Sequence, residues 1–309
     1  MKKTLTFILT SILIVFSLVF TACTPNSNNI YAGNYKEVSP PQFYTEQESK
    51  KPSNENKDAG IKFKISIFNS EISDIRIIKK EGVLDGTIVK SKDDGSIKAI
   101  INVTAKTTKT YDAYFQGELT TSTSIEEEKI SYYIDGDNYY KKYSLKKVTP
   151  SNTTNDFYTE KLDRDDFIKE FEDYENSAPT TPDDEQLPKT EEEFIAFIEE
   201  ICTTRGYRIS TDANNGYKVK IDVGDMDSFK DYTISSITSS YPSFYLEVDA
   251  FEIYLVYDKN NNFLAEKQSA DISTCYSNST IRAKVDSEIR AYNGDIKLPS
   301  DLSTYTPSN

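Results

Sequence analysis

Apolar and polar residues alternate along most of the chain beyond residue 60, which is the pattern of β-strands with one face towards water. The alternation starts at residues 61–67, and residues 97–105 keep one phase throughout. Similar runs cover residues 217–223 and 244–257, and the short run 232–237 is interpreted as a further strand. The sequence therefore predicts a protein built mainly from β-strands.

Short turn sequences separate these runs. Asp93-Asp94-Gly95 and the segment Asp135–Asn138 are typical of tight hairpins. Because no long helical pattern interrupts residues 61–143, we expect their strands to be antiparallel and meandering. The run 244–257 changes phase by one residue after Ala250, which predicts a β-bulge and a bend.

Two stretches have the period of a helix instead. Residues 163–174 place aromatic side chains at i, i+4 and i+7. A second helix begins at Thr190, which can form a capping box with Glu193, and Gly206 ends it. Its apolar stripe consists of Phe194, Phe197, Ile198, Ile201 and Cys202. The sheet is the only large apolar surface available to this stripe, so the elements predict an α+β fold, mainly antiparallel β, with helices packed on the sheet.

The domain boundaries follow from composition. Residues 61–299 are expected to form a single β-rich domain, or else two lobes at 61–175 and 190–299. Residues 24–60 are rich in Asn, Ser, Pro, Lys and Glu and cannot bury enough apolar area to offset chain entropy, so we expect a disordered tether. Residues 300–309 are expected to be a frayed tail.

The first 23 residues have the organisation of an export signal. Two lysines precede an apolar run from Leu5 to Phe20, and Thr21-Ala22-Cys23 follow it. The cysteine after two small residues resembles the lipobox of bacterial lipoproteins. That resemblance implies a diacylglycerol on the Cys23 sulfur, cleavage between Ala22 and Cys23, and often acylation of the freed amino group. Residues 1–22 would then be the signal peptide, and 23–60 the lipidated N-terminus with its tether.

Two alternatives remain for this segment. Residues 5–22 are just long enough to cross a bilayer as an uncleaved anchor, and ordinary secretion with cleavage elsewhere is the other alternative. With lipidation, the partner is the membrane itself, reached through the acyl chains on Cys23. The predicted location is the outer face of the cytoplasmic membrane. Many Lys relative to Arg, and many Asn, associate the chain with a Gram-positive cell surface.

Charge and composition exclude several functions. The net charge is −14, and removal of residues 1–22 with their two lysines gives −14 − 2 = −16, which argues against a nucleic-acid partner and against the body lying on anionic lipid. The chain has no histidine, which excludes Ser-His and Cys-His nucleophiles and histidine-based zinc sites. No catalytic residue, metal ligand or cofactor is nominated, and the chain is interpreted as non-catalytic.

Two sets of residues invite a chemical reading. Asp258, Asn260 and Asn262 match the first ligand positions of a calcium loop, but Phe263 and Ser269 replace the glycine and glutamate that such a loop needs. A tight hairpin explains the same residues better. Cys202 and Cys275 could form one disulfide in an exported protein, or Cys202 could be a buried thiol on its helix.

Strands, amphipathic helices and then long paired strands, together with the lipobox, resemble the LolA/LppX-like lipoprotein-carrier superfamily. The resemblance rests on segments 132–140, 253–267 and 291–299. It implies a curved, open half-barrel sheet with one or two amphipathic helices packed on its concave face. It also implies a hollow for a lipid or other apolar ligand, lined by Phe194, Phe197, Ile198, Ile201, Ile101, Val103, Ile253 and Leu255. In the alternative, side chains of the protein itself fill the hollow.

The sequence thus leads to two main hypotheses. The first is a membrane-anchored, extracytoplasmic, non-catalytic lipoprotein that holds a lipid or other apolar molecule in a half-barrel. The second is a protein-interaction module of the cell envelope, with a filled core and no ligand. An enzyme is the least favoured class, because no acidic residue or serine can be nominated as essential.

Overall fold

The computed structural model describes residues 30–49, 60–91, 94–115, 118–175, 188, 190–214, 216–237, 245–276 and 279–307. Within these residues the chain forms thirteen strands in one sheet, together with four α-helices. The sheet is large, curved and open, and its neighbouring strands are antiparallel except for the last pair. The predicted α+β, mainly antiparallel fold is confirmed.

The strands are β1 (Lys36–Glu37), β2 (Gly60–Ser73), β3 (Arg76–Lys90), β4 (Ile97–Phe115), β5 (Glu118–Asp135), β6 (Asn138–Val148), β7 (Thr153–Leu162), β8 (Tyr207–Asp212), β9 (Tyr217–Val223), β10 (Tyr245–Tyr257), β11 (Phe263–Tyr276), β12 (Ser279–Tyr292) and β13 (Thr306–Pro307). The helices are α1 (Pro40–Ser49), α2 (Arg164–Glu175), α3 (Glu191–Thr203) and α4 (Met226–Ile237). Across the sheet the order is β1-β8-β9-β10-β11-β12-β2-β3-β4-β5-β6-β7-β13.

One strand pair joins the two halves of the chain. Strand β12 pairs with β2 without interruption from Ser279 opposite Ser73 to Tyr292 opposite Gly60. The early meander β2–β7 and the later meander β8–β12 are therefore continuous, so the two lobes considered from the sequence share a single sheet.

The register defines two faces, because residues directly opposite in an antiparallel sheet point to the same side. One row crosses eleven strands on one side: Ile209, Ile221, Ile253, Gln268, Ser287, Ile65, Leu84, Val103, Ile130, Tyr143 and Tyr158. We call this side the helix face. The opposite side is the terminal face, because both ends of the described chain cross it.

All four described helices contact the helix face. Helices α1 and α3 place Phe43 and Ile198 in one cluster with Ile209 of β8. On α4, the Phe229 ring lies 5.3 Å from that of Phe251 on β10. Helix α2 lies several strands away, over β5 and β6, where its Phe167 ring stacks on Tyr139 at 4.7 Å. One or two helices were expected on this face, and the described residues place four there.

Most local predictions are confirmed. The Thr190 side chain accepts the Glu193 backbone N–H, and Glu193 accepts the Thr190 N–H, so the capping box begins α3 as expected. The hairpin between β5 and β6 turns at Gly136, whose φ of 61° suits glycine. In β10 the pairing register shifts between Val248 and Ala250, which is the predicted bulge.

The predicted strand at residues 232–237 is wrong, because these residues are the second half of α4. The Asp225 carboxylate accepts the backbone N–H groups of Asp227 and Ser228 and so caps the helix at its start. Phe229 then anchors the helix, since its side chain is 2% exposed. The short apolar–polar alternation at 232–237 is compatible with a strand or a helix. The Asp225 cap and the buried Phe229 stabilise the helix.

The predicted tether and tail also need correction. Residues 30–49 are folded rather than disordered: Ile30, Val38 and Phe43 are buried, and the Val38 N–H donates to the Ile209 carbonyl. The segment is polar on average, but these few apolar side chains bury enough surface to fold it onto the sheet. Residues 24–29 and 50–59 lie outside the described residues.

At the other end, residues 300–307 are packed on the terminal face. Leu302 and Tyr305 are buried in a cluster with Tyr133 of β5. Strand β13 then runs parallel to β7, pairing Thr306 with Glu160. Residues 308–309 lie outside the described residues. The C-terminal segment thus packs on the terminal face, as the described helices pack on the helix face.

Candidate binding surfaces

The space beneath α3 is a filled core. Val38, which follows β1, and buried side chains from α1, α3, β8 and β9 form it, and Phe194, Ile201, Cys202, Ile221, Leu255 and Tyr257 pack against it. Tyr217 and Val219 at its centre are 1% and 0% exposed. The Phe43 ring of α1 stacks on Phe194 of α3 at 6.2 Å. The predicted hollow under this helix is therefore wrong, and the filled alternative describes it.

The eight residues nominated for the hollow do not form one site. Phe194, Ile198, Ile201 and Leu255 belong to the filled core or pack against it, with Ile253 on the same face of β10. Phe197 lies on the outer side of α3 and is 38% exposed. Ile101 and Val103 share the helix face but lie on β4, five strands from β10, which is about 24 Å at ordinary strand spacing.

The central strands carry a second apolar surface, which we call the apolar belt. It consists of Phe63, Ile65 and Ile67 on β2, Leu84 on β3, Ile101 and Val103 on β4, and Ile130 on β5. All seven side chains point to the helix face. Only Ile65 is fully buried, at 3% exposure, and the other six are half-buried. The belt lies between the filled core and the region under α2.

A glycine leaves room in the belt. Gly82 of β3 lies on the helix face, opposite Ile67 of β2 and Ala105 of β4. A Cβ atom at this position would have no neighbour within 4 Å. Gly86 on the same strand differs, because its Cβ would meet the Phe63 ring at 2.7 Å. The belt therefore has an open position at Gly82 and a closed one at Gly86.

A buried carboxyl group lies between the belt and the filled core. Glu266 of β11 is opposite Leu255 and Ile289 on the helix face, and it is 3% exposed. Gln268 Nε2 donates to Glu266 Oε1 at 2.5 Å, while Oε2 has no hydrogen-bond partner among the described residues. Burial raises the pKa of Glu266 to about 7, against the lowering effect of the Gln268 hydrogen bond.

A buried lysine occupies the other side of the belt, under α2. The Lys141 Nζ atom lies 2.5 Å from Glu170 Oε1 and 3.5 Å from Glu160 Oε1. Glu170 Oε2 also accepts the Tyr132 hydroxyl at 2.7 Å. Burial would lower the pKa of Lys141, but the hydrogen bond and charge of Glu170 outweigh it and raise the pKa. The cluster fixes α2 on β5 and β6.

The terminal face has a groove of its own at the centre of the sheet. Its volume is about 410 Å³, within the range of small-molecule sites. Phe68 and Val83 point into it, and charged pairs line it, including Lys106 with Glu81 at 3.7 Å. Tyr31 of the N-terminal segment lies over neighbouring strands, where its hydroxyl donates to Glu288 at 2.8 Å. Charged residues are part of the lining of this groove, whereas the belt as defined has only apolar side chains.

The two cysteines of the folded body are not bridged. Cys202 is a half-buried thiol beside the core under α3, and Cys275 is exposed. On β10, Leu255 packs against that core, while Tyr245 lies opposite Cys275, ten residues further along the strand or on the order of 33 Å. The disulfide interpretation is therefore wrong, and the buried-thiol interpretation of Cys202 holds.

The acidic loop at 258–262 is a hairpin, as the sequence favoured. The Asp258 carboxylate accepts the backbone N–H groups of Asn260 and Asn262 and so closes the turn between β10 and β11. Asn261 takes a φ of 63°, a left-handed conformation that asparagine tolerates.

Sequence reasoning missed Glu266 and Gly82. The run 263–272 has no clear alternation, so the face that Glu266 occupies could not be assigned from its own strand. The hairpin 258–262 does not supply the signal either: counting back from Tyr257 opposite Phe263 places Glu266 opposite Tyr254, and only the register shift between Val256 and Tyr257 places it opposite Leu255.

Ala22 and Cys23, the cleavage and lipidation residues, lie outside the described residues. No helix in the described part of the chain has the length and apolar character needed to cross a membrane. No protein-family model matches the chain, and no match was found among curated proteins.

Proposed function

We propose that the chain is a lipoprotein anchored through Cys23 to the outer face of the cytoplasmic membrane, and that its folded body binds an apolar molecule without catalysing a reaction. The binding surface is the apolar belt on the helix face. The ligand class is a lipid or another molecule with an apolar chain.

The observation that carries this proposal is the contrast in burial along the helix face. Beneath α1 and α3 the apolar side chains are buried by the protein itself. On β2–β5, six of the seven belt residues are half-buried, and Gly82 leaves open space between Ile67 and Ala105. The part of this contiguous apolar surface that remains in contact with water is costly, and a bound acyl chain would cover it.

The shape of the sheet supports the same class of function. An open curved sheet with helices on one face is what the resemblance to the LolA/LppX-like carriers implies. Those members of that superfamily that bind acyl chains do so in the hollow between sheet and helices. Here the belt between α2 and the core would take that role, in place of the filled space under α3.

The anchor is supported by the signal-like first 22 residues and the position of Cys23. Because Ile30 is already buried in the fold, only residues 24–29 separate it from the anchor. Seven residue steps reach about 25 Å at most. The body would therefore sit close to the bilayer, where a carrier could meet lipid.

Two measurements test the two halves of this proposal. Intact-mass analysis of the protein from membranes should give a chain that begins at Cys23 and carries acyl groups. Native mass spectrometry of the delipidated protein after incubation with a C16 fatty acid should give a one-to-one complex. An unmodified N-terminus would overturn the anchor, and a chain that never binds the fatty acid would overturn the carrier.

A matched pair of variants locates the ligand. Gly82→Leu fills the open position of the belt, so fatty-acid binding should fall at least tenfold. Val83→Leu enlarges the neighbouring side chain on the terminal face and should leave binding unchanged. Circular dichroism of both variants checks that the sheet is intact. Equal binding by the parent chain and Gly82→Leu would exclude the belt as the site.

The filled core keeps a second function open, an envelope protein-interaction module without a ligand. In that case, crosslinking in cells would join the body to another envelope protein, and no fatty acid would bind.

A further inference from the structure

We propose that the terminal face of the folded body lies on anionic lipid headgroups and meets them through a basic patch beside the N-terminal segment. The basic patch consists of Lys62 and Lys64 on β2, Lys267 on β11 and Arg290 on β12. The two lysines of β2 alternate with Phe63 and Ile65 of the belt, so they point to the terminal face. This orientation rests on the proposed anchor at Cys23, but the anchor alone does not specify which face meets the lipid.

The charge of the molecule is divided between its two sides. Helices α1 to α4, which all contact the helix face, together carry fifteen Asp and Glu and three Lys and Arg, a net charge of −12. They therefore account for most of the net charge of −14. A lipid headgroup on the terminal face has the whole sheet between itself and these helices, and salt screens exposed charges beyond about 8 Å. The overall acidity of the chain thus does not keep this face from anionic lipid.

The basic patch is compact and only partly neutralised. Lys62 lies directly opposite Arg290, and Glu288 lies between Lys64 and Lys267 in the neighbouring row. Glu288 pairs with Arg290 at 2.6 Å. Lys62 and Lys64 are exposed, and neither forms an ion pair within the described part of the chain. Two ammonium groups are therefore available to lipid phosphates.

One further carboxylate borders the patch. Asp85 of β3 lies opposite Lys64 and accepts the Asn102 side chain at 3.0 Å. The four cations of the patch, set against Glu288 and Asp85, still leave a net charge of +2. Clustered Lys and Arg beside a membrane anchor are attracted to anionic lipid in this way.

The N-terminal segment begins over the basic patch. Asn34 donates its backbone N–H to Asp212 on β8. Three residues earlier, Tyr31 lies over the patch, where Lys267 and Arg290 approach its ring at 5.9 and 6.0 Å. The segment therefore runs from the patch towards β8, and the end that leads to the anchor is the end at the patch.

The anchor makes a modest attraction sufficient. A body held by a short segment meets the bilayer at a high effective concentration, so a few basic residues can decide which face is turned towards it. The acidic helices are then directed away from the anionic surface. The apolar belt remains accessible from the outer side.

Tryptophan fluorescence tests this orientation, because the chain has no tryptophan of its own. Tyr292→Trp places the probe two residues after Arg290 on the terminal face. Phe197→Trp places it on the exposed side of α3 as the matched control. The full acylated chain is reconstituted in vesicles of phosphatidylcholine with about 30% phosphatidylglycerol, which supplies the anionic surface, and with a nitroxide on the headgroup of some phosphatidylcholine.

The nitroxide should quench Tyr292→Trp at least about twofold more than Phe197→Trp, and omission of phosphatidylglycerol should remove the difference. Equal quenching of the two variants in the anionic vesicles would overturn the proposal. Circular dichroism checks that both variants keep the sheet.

Charge reversal in the Tyr292→Trp chain tests the patch itself. Lys62→Glu with Lys64→Glu should reduce the quenching to the level in phosphatidylcholine alone. Lys90→Glu with Lys109→Glu makes the same change in net charge at exposed positions of the helix face and should leave the quenching unchanged. Equal effects of the two pairs would exclude the basic patch as the contact.

Flotation of the same vesicles separates this inference from the anchor. A chain that stays in solution has no anchor, and that result would overturn both proposals. A chain that floats while Tyr292→Trp is quenched no more than Phe197→Trp has the anchor but not this orientation.

Discussion

The helix face is packed in one region and half-buried in another. Beneath α1 and α3, side chains from two helices and three strands interlock, and Tyr217 and Val219 are almost completely buried. Five and six strands from β9, Leu84 of β3 and Val103 of β4 lie on the same face and remain half-buried. One sheet therefore provides stability at one end and an accessible apolar surface at its centre.

The difference follows from what the chain places over each region. The stripe of α3 is continuous and is secured by its capping box, so it buries the strands below it. Only two to six residues separate consecutive strands from β2 to β5, too few to place a helix over them. Their stability comes from cross-strand pairs and backbone bonds. The contrast predicts that equivalent truncations should cost more in the core than in the belt.

The largest effect is expected at the centre of the core. Ile198→Ala should lower the free energy of unfolding by about 3–4 kcal/mol, because it leaves a cavity among residues that cannot all move inward. Phe197→Ala, one position earlier on the exposed side of α3, should cost less than about 1 kcal/mol. Urea unfolding measures both, and similar losses would mean that the core is not packed as described.

The next effect concerns the ion pairs under α2. Lys141→Ala should cost about 3 kcal/mol, because it leaves Glu160 and Glu170 facing each other without their shared cation. Lys142→Ala changes the exposed neighbour on the terminal face and should cost less than about 0.5 kcal/mol. Thermal unfolding measures both variants. Equal melting temperatures for Lys141→Ala and Lys142→Ala would contradict the role given to Lys141.

Glu266 should make stability depend on pH at the border between core and belt. Its folded pKa of about 7 lies above the ordinary carboxyl value, so between about pH 4.5 and 7 the folded chain holds a proton that the unfolded chain has released. Raising the pH through this window therefore lowers the free energy of unfolding.

Glu266→Gln removes this titration. Its advantage over the parent chain should grow from near zero at pH 4.5 to about 2–3 kcal/mol at pH 8. Gln268→Leu removes the hydrogen bond that lowers the Glu266 pKa, so it should extend the window upward. Urea unfolding between pH 4.5 and 8 measures this difference. If the free energies of unfolding of Glu266→Gln and the parent chain changed in parallel with pH, ionisation of Glu266 would not destabilise the folded chain.

The smallest effect is expected in the belt. Leu84→Ala should cost about 1–2 kcal/mol, because its side chain is half-buried and leaves no closed cavity. A loss as large as that of Ile198→Ala would remove the contrast between the two regions. Bound fatty acid should increase the cost, since the side chain then contributes to binding as well.

Sequence reasoning succeeded where a signal was local. The capping box at Thr190, the turn at Gly136 and the phase change after Ala250 each specify the backbone of a few residues, and each is confirmed. The stripe of α3 was also identified correctly as the face that packs on the sheet.

The wrong predictions concern features of the structure that depend on tertiary contacts. Composition alone made residues 30–49 look like a tether, but Val38 and Phe43 complete the core under α3. The distance between Val103 and Leu255 depends on how many strands separate β4 from β10. That number is set by the pairing of β12 with β2, which no local pattern encodes.

Photo-crosslinking with a diazirine-bearing C16 fatty acid tests the central claim most directly. Labelled peptides should come from β2–β4, around Ile65, Leu84 and Val103, and unlabelled fatty acid should compete. Labelling confined to peptides of α3 and β9, or labelling that competitor does not reduce, would contradict the apolar belt as the binding surface.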